Sequence, residues 1–375
     1  MDSKASVQAG SRLERLLGFL GKDSANASLL ADAAQAAVDA RDFDMAADLI
    51  ARHDAIARPG PALINLQGLI ALAQHRFADA AAIFGALRAQ SDNPALRFNL
   101  AWSMAMTDAW RGALDLLDDE TLAASPRAPS LKIQAMHHLD LYDDALACGE
   151  ELARRYPDNR ELMGALATLA LDAEKPELAQ RYAEQAGDNA EGRTALGMLS
   201  LGEQDTARSL ALFDEAMQKQ PNNPRAWLGR GLAQLAAGDT RAGVEAIDRG
   251  AELFQDHIGS WVASGWAHFV NCDYVRARAS FDRALAIDQN FAESHGGVAV
   301  VDIVDGRLDE ARKHCDIALR LDRSCFGGAL AKSLLLAQAG HPQAAQKVRD
   351  IALNTPIGPS GKTIAQVLIG FGARK

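Results

Sequence analysis

The sequence predicts an all-α solenoid, and two observations support this prediction. First, a short turn motif recurs every 34 residues in the second half of the chain, at Gly238-Asp239, Cys272-Asp273, Gly306-Arg307 and Gly340-His341. A fixed period of this size is typical of repeats that bury their cores against one another. Second, only 6% of the residues are aromatic, and no stretch shows the apolar–polar alternation of a strand.

The first predicted element is an N-terminal capping helix. Residues 1–10 are polar and are expected to be disordered. Ser11 and Glu14 have the spacing of a capping box, in which the two side chains satisfy each other's backbone amides. Four leucines then follow at the spacing of an amphipathic helix: Leu13, Leu16, Leu17 and Leu20.

From residue 27 onward, helical stretches alternate with short polar turns. Prolines such as Pro61, Pro94 and Pro224 fall between the units, where one helix must stop before another can start. We therefore expect about ten helix pairs, over residues 27–60, 61–93, 94–125, 126–159, 160–189, 190–223, 224–257, 258–291, 292–325 and 326–358.

The spacing of the repeats predicts two blocks. The first five units vary between 30 and 34 residues, whereas the later ones keep the 34-residue period almost throughout. A deletion near residues 187–192 is expected to change the local angle between pairs. This places the N-terminal cap and a degenerate block in 11–189 and a regular block in 190–358. A continuous, slightly irregular solenoid is the alternative.

The chain is expected to end in a second capping helix over 359–375. Ser360 is a suitable N-cap, and an apolar stripe follows at Ile364, Val367, Leu368 and Phe371. The outer side of this helix carries Ile369 as well as polar residues. An incompletely polar cap leaves room for a second copy, so a homodimer through this helix is one expectation.

The repeat positions resemble the tetratricopeptide repeat (TPR). Trp227, Gly231, Gly238 and Asp239 match its pattern in one unit, and the next unit matches at Trp261, Gly265, Asp273, Tyr274, Ala277, Phe281 and Ala284. The resemblance implies a right-handed superhelix of about ten helix pairs, capped at both ends, whose first helices line a concave groove. It says little about which partner is bound.

Composition and motifs exclude several functions. The net charge of −10 opposes nucleic-acid binding, which depends on many Lys and Arg contacts to phosphate. Residues 358–363 resemble the end of a phosphate-binding loop, but Pro356 occupies the position of its first glycine and no strand precedes it. His137 and His138 are adjacent on a helix and point in different directions, which disfavours a shared metal ion. We expect no catalytic activity and no cofactor.

Composition also bears on location. The sequence has no apolar signal segment at its start and no apolar run long enough to span a membrane. Its four cysteines lack the spacing of a metal or redox motif. These features predict a cytoplasmic protein, and the Ala-rich composition is typical of a bacterial one.

One buried carboxylate is expected to have a histidine partner. Asp302 occupies an inward position of its first helix that usually holds an aromatic residue, and His268 occupies the same position one repeat earlier. A buried carboxylate must be paired. We predict a bond from Asp302 to His268 or His295, with a shifted helix that exposes Asp302 as the alternative.

The expected groove is markedly apolar. Apolar area gathered on one surface usually marks a binding site, unless tight coiling buries it. Trp and Phe are also the side chains that most often anchor an interface. The predicted partner-binding residues are Leu69, Leu72, Trp102, Met106, Leu228, Leu232, Val262, Trp266, Phe269, Val270 and Ile303.

These residues predict a non-catalytic scaffold or adaptor that binds an apolar or amphipathic protein segment. Two alternatives remain open. One is a cytoplasmic chaperone for an exported envelope or appendage subunit. The other is a regulatory subunit of a separately encoded enzyme, such as a glycosyltransferase.

Overall fold

The computed structural model describes residues 2–354, with side chains from Gly10 onward, and every regular element in this range is an α-helix. The chain forms two compact units, Met1–Leu162 and Met163–Lys375. The boundary that the sequence predicts at 189/190, between two blocks of repeats, stays a prediction. The expected C-terminal cap, its dimer interface and the glycine-rich turn before it lie outside the described residues.

The first unit contains a leading helix followed by helix pairs. Its helices are α1 (Asp2–Leu20), α2 (Ala27–Asp39), α3 (Phe43–Asp54), α4 (Pro61–Ala73), α5 (Phe77–Arg88), α6 (Pro94–Ala105), α7 (Trp110–Asp115), α8 (Asp119–Ala124), α9 (Ala128–His138) and α10 (Tyr142–Arg155). In the pair that starts with α6, the second helix is split into α7 and α8, because Asp118 caps a new helix through the Thr121 amide, 2.9 Å away.

The second unit begins within α11 (Arg160–Asp172) and continues as regular pairs. Its other helices are α12 (Pro176–Ala186), α13 (Ala190–Gly202), α14 (Thr206–Lys219), α15 (Pro224–Ala236), α16 (Thr240–Phe254), α17 (Ile258–Val270), α18 (Tyr274–Ile287), α19 (Ala292–Val304), α20 (Leu308–Leu321), α21 (Phe326–Gln338) and α22 (Pro342–Asn354). The all-α prediction is confirmed.

The start of α1 differs from the prediction. The helix begins at Asp2, not at the Ser11 capping box, and it includes the residues expected to be disordered. Residues 2–10 contain Ala, Lys and Gln and no proline, so nothing in them ends a helix. The predicted leucine stripe is confirmed, since Leu13 and Leu20 are buried in a core with α2, α3 and α4.

Local sequence determines where the helices begin. Several first helices start after an asparagine whose side chain accepts a backbone amide, as Asn223 does from Ala226 at 3.0 Å. Several second helices start after an aspartate, as α18 does after Asp273. A proline at the first helical position starts α4, α6 and α15, as predicted, because it gives up an amide that has no helical partner there.

The turn between the two helices of a pair repeats one backbone feature. A residue with positive φ recurs at positions 41, 75, 108, 140, 174, 204, 238, 272, 306 and 340. Only the turns at Gly238, Gly306 and Gly340 use glycine there. The others place a side chain in the left-handed region, which costs roughly 1–2 kcal/mol for an L-residue.

The core of several repeats is built on one phenylalanine position. Phe84, Phe213 and Phe281 are fully buried and each lies against glycines of first helices. A Cβ atom at Gly265 would lie 2.6 Å from the Phe281 ring. Glycine at this site therefore lets the first helix approach the ring of the second.

The segment near residues 187–192 does not interrupt packing. Gly187 ends α12 with a φ of 60°, and Asn189 caps α13. A Cβ atom at Gly192 would lie 2.7 Å from that of Ala186, so α12 and α13 are closely packed. The short repeat is thus accommodated by a tight turn within the second unit.

Candidate partner-binding surface

In the first unit, the predicted residues lie on the first helices α4 and α6. Leu69 and Leu72 are half-buried on α4, and Trp102 is half-buried on α6. The Arg127 guanidinium lies 4.1 Å from the centre of the Trp102 ring, so one face of the indole has a cationic partner. Met106 follows one turn later and is exposed.

In the second unit, α15 carries the next predicted residues. Leu228 and Leu232 are half-buried and pack on Val244 and Ile247 of α16 and on Ala267 of α17. They fill the space between consecutive pairs. Each keeps part of its surface accessible to solvent.

Val262 and Ile303 contribute mainly to the interior. Each is only 8% exposed, in cores that include Phe281 and Cys315 respectively. The sequence placed both on a partner-binding surface, but their side chains are already covered by neighbouring helices. The tight packing that was the alternative explanation therefore holds at these two positions.

Trp266 and Phe269 are held by intramolecular contacts as well. The Trp266 ring centre lies 5.3 Å from that of Phe281, 5.8 Å from Phe269 and 6.0 Å from Phe326. Its indole N–H donates to Glu293 at 3.2 Å. Both aromatic residues are half-buried, so they support the surface from below and present only part of their area.

On the first helices of this unit, the exposed large apolar residues are Val270 and Val304. They are 66% and 44% exposed and end the first helices α17 and α19. They are 34 residues apart and so hold the same position in successive repeats. Of the predicted residues in this unit, Val270 offers the most apolar surface to a partner.

A close helix contact limits this surface beyond α19. A Cβ atom at Gly296 would lie 2.5 Å from the Gly328 amide nitrogen, so the first helices α19 and α21 pack directly on each other. Glu293 fixes this contact by accepting the Gly327 amide at 3.1 Å and the Cys325 thiol at 3.0 Å. Burial, followed by the charge of Glu293, raises the pKa of the Cys325 thiol.

This contact was not predicted, although the sequence carries a signal for it. Gly296 and Gly327 face each other from consecutive first helices, whereas Gly297 faces Phe281 and Gly328 faces Ala318 and Leu319. Two small side chains at such a spacing permit two helices to approach closely.

The predicted histidine partner of Asp302 is wrong. Asp302 is fully buried, as expected, but it accepts from Arg278 at 2.6 Å and from Arg307 at 2.8 Å. His268 instead lies 2.9 Å from Asp248, and His295 lies 2.9 Å from His314. The partners come from the second helices and their caps, which the sequence argument did not consider.

Another ion pair on the first helices skips one repeat. Arg225 of α15 donates both terminal nitrogens to Asp172 of α11, at 2.9 and 2.8 Å. Such a bidentate pair is stronger than an ordinary surface ion pair. It links first helices that lie on either side of α13.

Two features are absent from the part of the chain that the structure describes. Residues 10–354 contain no group of three His, Cys, Asp or Glu side chains placed to hold a metal ion. None of the helices in this range is both long and apolar enough to cross a membrane.

Comparison with known families gives two matches. Tetratricopeptide-repeat models match residues 65–129 and residues 200–261, one in each unit. A search of curated proteins finds no match.

Solved structures with similar folds include the human IFIT1 dimer with m7Gppp-AAAA. It has 11% sequence identity and a TM-score of 0.55, with 92% of this chain and 94% of that chain covered. MamA matches with 18% identity and a TM-score of 0.35, over 42% of this chain and 93% of its own. The Cut9–Hcn1 complex of the APC/C matches with 14% identity and a TM-score of 0.42, over 85% of each chain. The IFIT1 likeness supports the helical-repeat fold.

Proposed function

Because the chain belongs to the tetratricopeptide-repeat family, we propose that it is a non-catalytic scaffold whose first helices bind an apolar or amphipathic segment of a partner protein. Helical repeats bury their cores between neighbours and leave long surfaces free for recognition. The proposal assigns that role to the accessible face of the first helices in each unit.

The recurrence of exposed valine is the observation that carries the proposal. Val270 and Val304 occupy the same position of successive repeats and leave much of their area in water. Covering apolar surface contributes roughly 25 cal/mol per Å². A single exposed apolar residue is ordinary, but two at one repeat position form a row that an apolar segment can cover.

The residues beneath this row give it a defined shape. Trp266 and Phe269 are fixed by contacts to Phe281, Phe326 and each other, so a partner does not need to order them. Surfaces that are already ordered bind with a smaller entropic cost. In the first unit, Trp102 of α6, whose ring lies under Arg127, is proposed to act in the same way, and the exposed Met106 at the end of α6 to add apolar area.

The experiment changes exposed valines and leaves the core alone. The double variant Val270→Lys/Val304→Lys places two charges on the proposed surface. Val275→Lys is the matched control, because Val275 is 82% exposed but lies on the second helix α18. Proteins that co-purify from the native cells would be quantified for wild type, variant and control, after circular dichroism shows equal folding.

We expect wild type and the control to bind the partner equally well. The double variant should bind it at least about tenfold more weakly, a loss of roughly 1.4 kcal/mol. Equal binding by all three proteins would contradict the proposal for this surface. Equal loss in the variant and the control would show that charge alone weakens binding.

The state of the partner separates the finer roles. An unfolded or helical subunit of the envelope or of an appendage would favour a chaperone. A folded enzyme whose turnover changes on mixing would favour a regulatory subunit. We propose no nucleic-acid ligand, although IFIT1 was solved with m7Gppp-AAAA, because a net charge of −10 opposes phosphate binding.

A further inference from the structure

Two histidines meet at the seam between α19 and α20. The Nδ1 atoms of His295 and His314 lie 2.9 Å apart, and His295 Nε2 lies 2.9 Å from the Gln289 carbonyl oxygen. His295 is buried and His314 is half-buried. Neither metal coordination nor the predicted pairing with Asp302 accounts for this contact.

The hydrogen bonds fix the protons of the neutral pair. A carbonyl oxygen only accepts, so His295 Nε2 must donate to Gln289. A neutral imidazole carries one N–H, which leaves His295 Nδ1 as an acceptor. His314 Nδ1 must therefore be the donor to it. Any added proton has to go first to Nε2 of His314.

A second proton would break the contact. Protonation of His295 at Nδ1 would point its N–H at the N–H of His314, and two donors cannot bond to each other. The folded pair therefore accepts one proton at most while this bond exists. The two separated rings of an opened seam can each take one proton, because neither N–H then faces another.

The surroundings of His314 also disfavour the addition of the first proton to its ring. Burial lowers the pKa of the His314 imidazole, and the neighbouring His295 adds to this effect. Arg278 of α18 lowers it as well, whereas Asp282 of α18 and Asp302 of α19 act in the opposite direction. Asp302 is itself neutralised by Arg278 and Arg307, and one of its oxygens is buried without a partner.

We propose that the His295–His314 pair is a pH-sensitive switch that holds α19 and α20 together at neutral pH and releases them on acidification. The inference is independent of the proposed partner-binding role. The direction of the pH effect follows from the lowered pKa of His314 and from the contact between the two Nδ1 atoms: the opened seam binds protons more readily than the closed one. Stability of the seam is therefore present above about pH 6.5 and falls as the pH drops below it.

Release would expose apolar side chains next to Val304. Val300 and Ile303 of α19 are buried against α20 and α21, together with Cys315 and Ala331. Acidification would therefore change the accessible apolar surface at the end of α19. The device is local, because it involves one seam within the second unit.

Hydrogen–deuterium exchange measures the opening of this seam directly. Exchange of backbone amides in α19 and α20 would be followed from about pH 7.5 to about pH 5.5, with correction for intrinsic rates. Each proton taken up on opening changes the opening constant tenfold per pH unit. We expect protection in wild type to fall between 10- and 100-fold per unit below about pH 6.5, and more than in α15 and α16.

Two variants test the role of the pair. His314→Asn keeps a donor near the position of Nδ1 but cannot titrate. Its loss of exchange protection in α19 and α20 should therefore be about tenfold smaller per pH unit than in wild type. His75→Gln is the control, because His75 is an exposed histidine of the first unit and should behave as wild type. Equal pH dependence in wild type and His314→Asn would overturn the proposal.

Direct titration provides a second measurement if the asparagine variant does not fold. Nuclear magnetic resonance of the wild-type imidazole nitrogens should show His295 protonated at Nε2 and His314 at Nδ1 at neutral pH. As the pH is lowered, the histidine pair should take up only one proton before the backbone resonances of α19 and α20 shift. Independent titration of both rings near pH 6.5 without such a shift would exclude the switch.

Discussion

The close contact between Gly265 and Phe281 leads to a prediction with a definite sign. A Cβ atom at Gly265 would lie 2.6, 2.7 and 2.8 Å from three atoms of the Phe281 ring. Real Cβ contacts essentially never fall below 3.0 Å. The ring is fully buried and Trp266 lies 5.3 Å away, so it has little room to move. Gly265→Ala is expected to destabilise the second unit.

The magnitude follows from two opposing effects. Replacing a glycine inside a helix by alanine gains about 1 kcal/mol in helix propensity. Inserting a methyl group into a packed core costs typically about 1–3 kcal/mol. Because the obstacle is a fixed aromatic ring, we expect the larger cost and a net loss of about 2 kcal/mol.

Gly85→Ala is the matched control. Gly85 lies in the interior of α5 in the first unit and is exposed, and a Cβ atom added there would meet nothing within 4 Å beyond its chain neighbours and the backbone of its own helix. The same chemical change should there stabilise the protein by about 1 kcal/mol. The two substitutions therefore differ in sign although the sequence change is identical.

Urea denaturation would measure both effects, with far-ultraviolet circular dichroism for helix content and tryptophan fluorescence for the surroundings of Trp266. A double-mutant cycle with Phe281→Leu isolates the contact. Leucine lacks the outer ring atoms that the new methyl group would meet. The loss in unfolding free energy of the double variant should therefore be smaller than the sum of the two single losses by at least about 1 kcal/mol. Additive losses, or a stabilising Gly265→Ala, would refute the reasoning.

Three further changes have definite expectations. Glu174→Gly should stabilise the protein by about 1 kcal/mol, because Glu174 has a φ of 57°; a lower urea midpoint than wild type would contradict this. Asn223→Ala should cost about 1 kcal/mol by removing the cap of α15, and Asn223→Asp should retain most of the stability in the same denaturation assay. Asp302→Ala should cost about 2 kcal/mol, because two arginines lose a buried acceptor, while both are partly exposed and keep Asp282 and Asp305 as partners; a thermal melting temperature equal to that of wild type would rule this out.

The periodic part of the fold was predictable from sequence. The 34-residue spacing, the prolines at helix starts and the glycine–phenylalanine positions all follow from constraints that every repeat shares. A first helix that begins at Pro224 and a turn at Gly238 can be assigned without knowledge of the neighbours. These features depend on local geometry, and local geometry leaves a residue pattern.

Contacts between repeats were less predictable. Val262 and Ile303 were placed on a binding surface because they belong to the predicted inner face of their first helices. Their burial depends on how far neighbouring pairs close upon them, which the pattern of one repeat does not specify. Val270, at the end of α17, is not covered by the neighbouring pairs and remains exposed.

The wrong partner for Asp302 has a related cause. The prediction compared equivalent positions of successive first helices, which places His268 beside Asp302 in a column. The nearest groups belong instead to the preceding second helix and to the following cap: Arg278 reaches back from α18, and Arg307 lies in the turn before α20. The polar partners of Asp302 therefore lie on the second helix before it and at the cap of the second helix after it, and not on the next first helix.

This pairing between first and second helices makes successive repeats distinct from one another. His268 is matched to Asp248 of α16, whereas Asp302, at the same position one repeat later, is matched to Arg278 of α18. Exchanging His268 and Asp302 would set one carboxylate against another and an imidazole against a guanidinium. Buried polar pairs contribute little net stability, because desolvation offsets their attraction, but an incorrect pair is costly. The two polar pairs therefore match α17 to α16 and α19 to α18, although the backbones of the two repeats follow the same pattern.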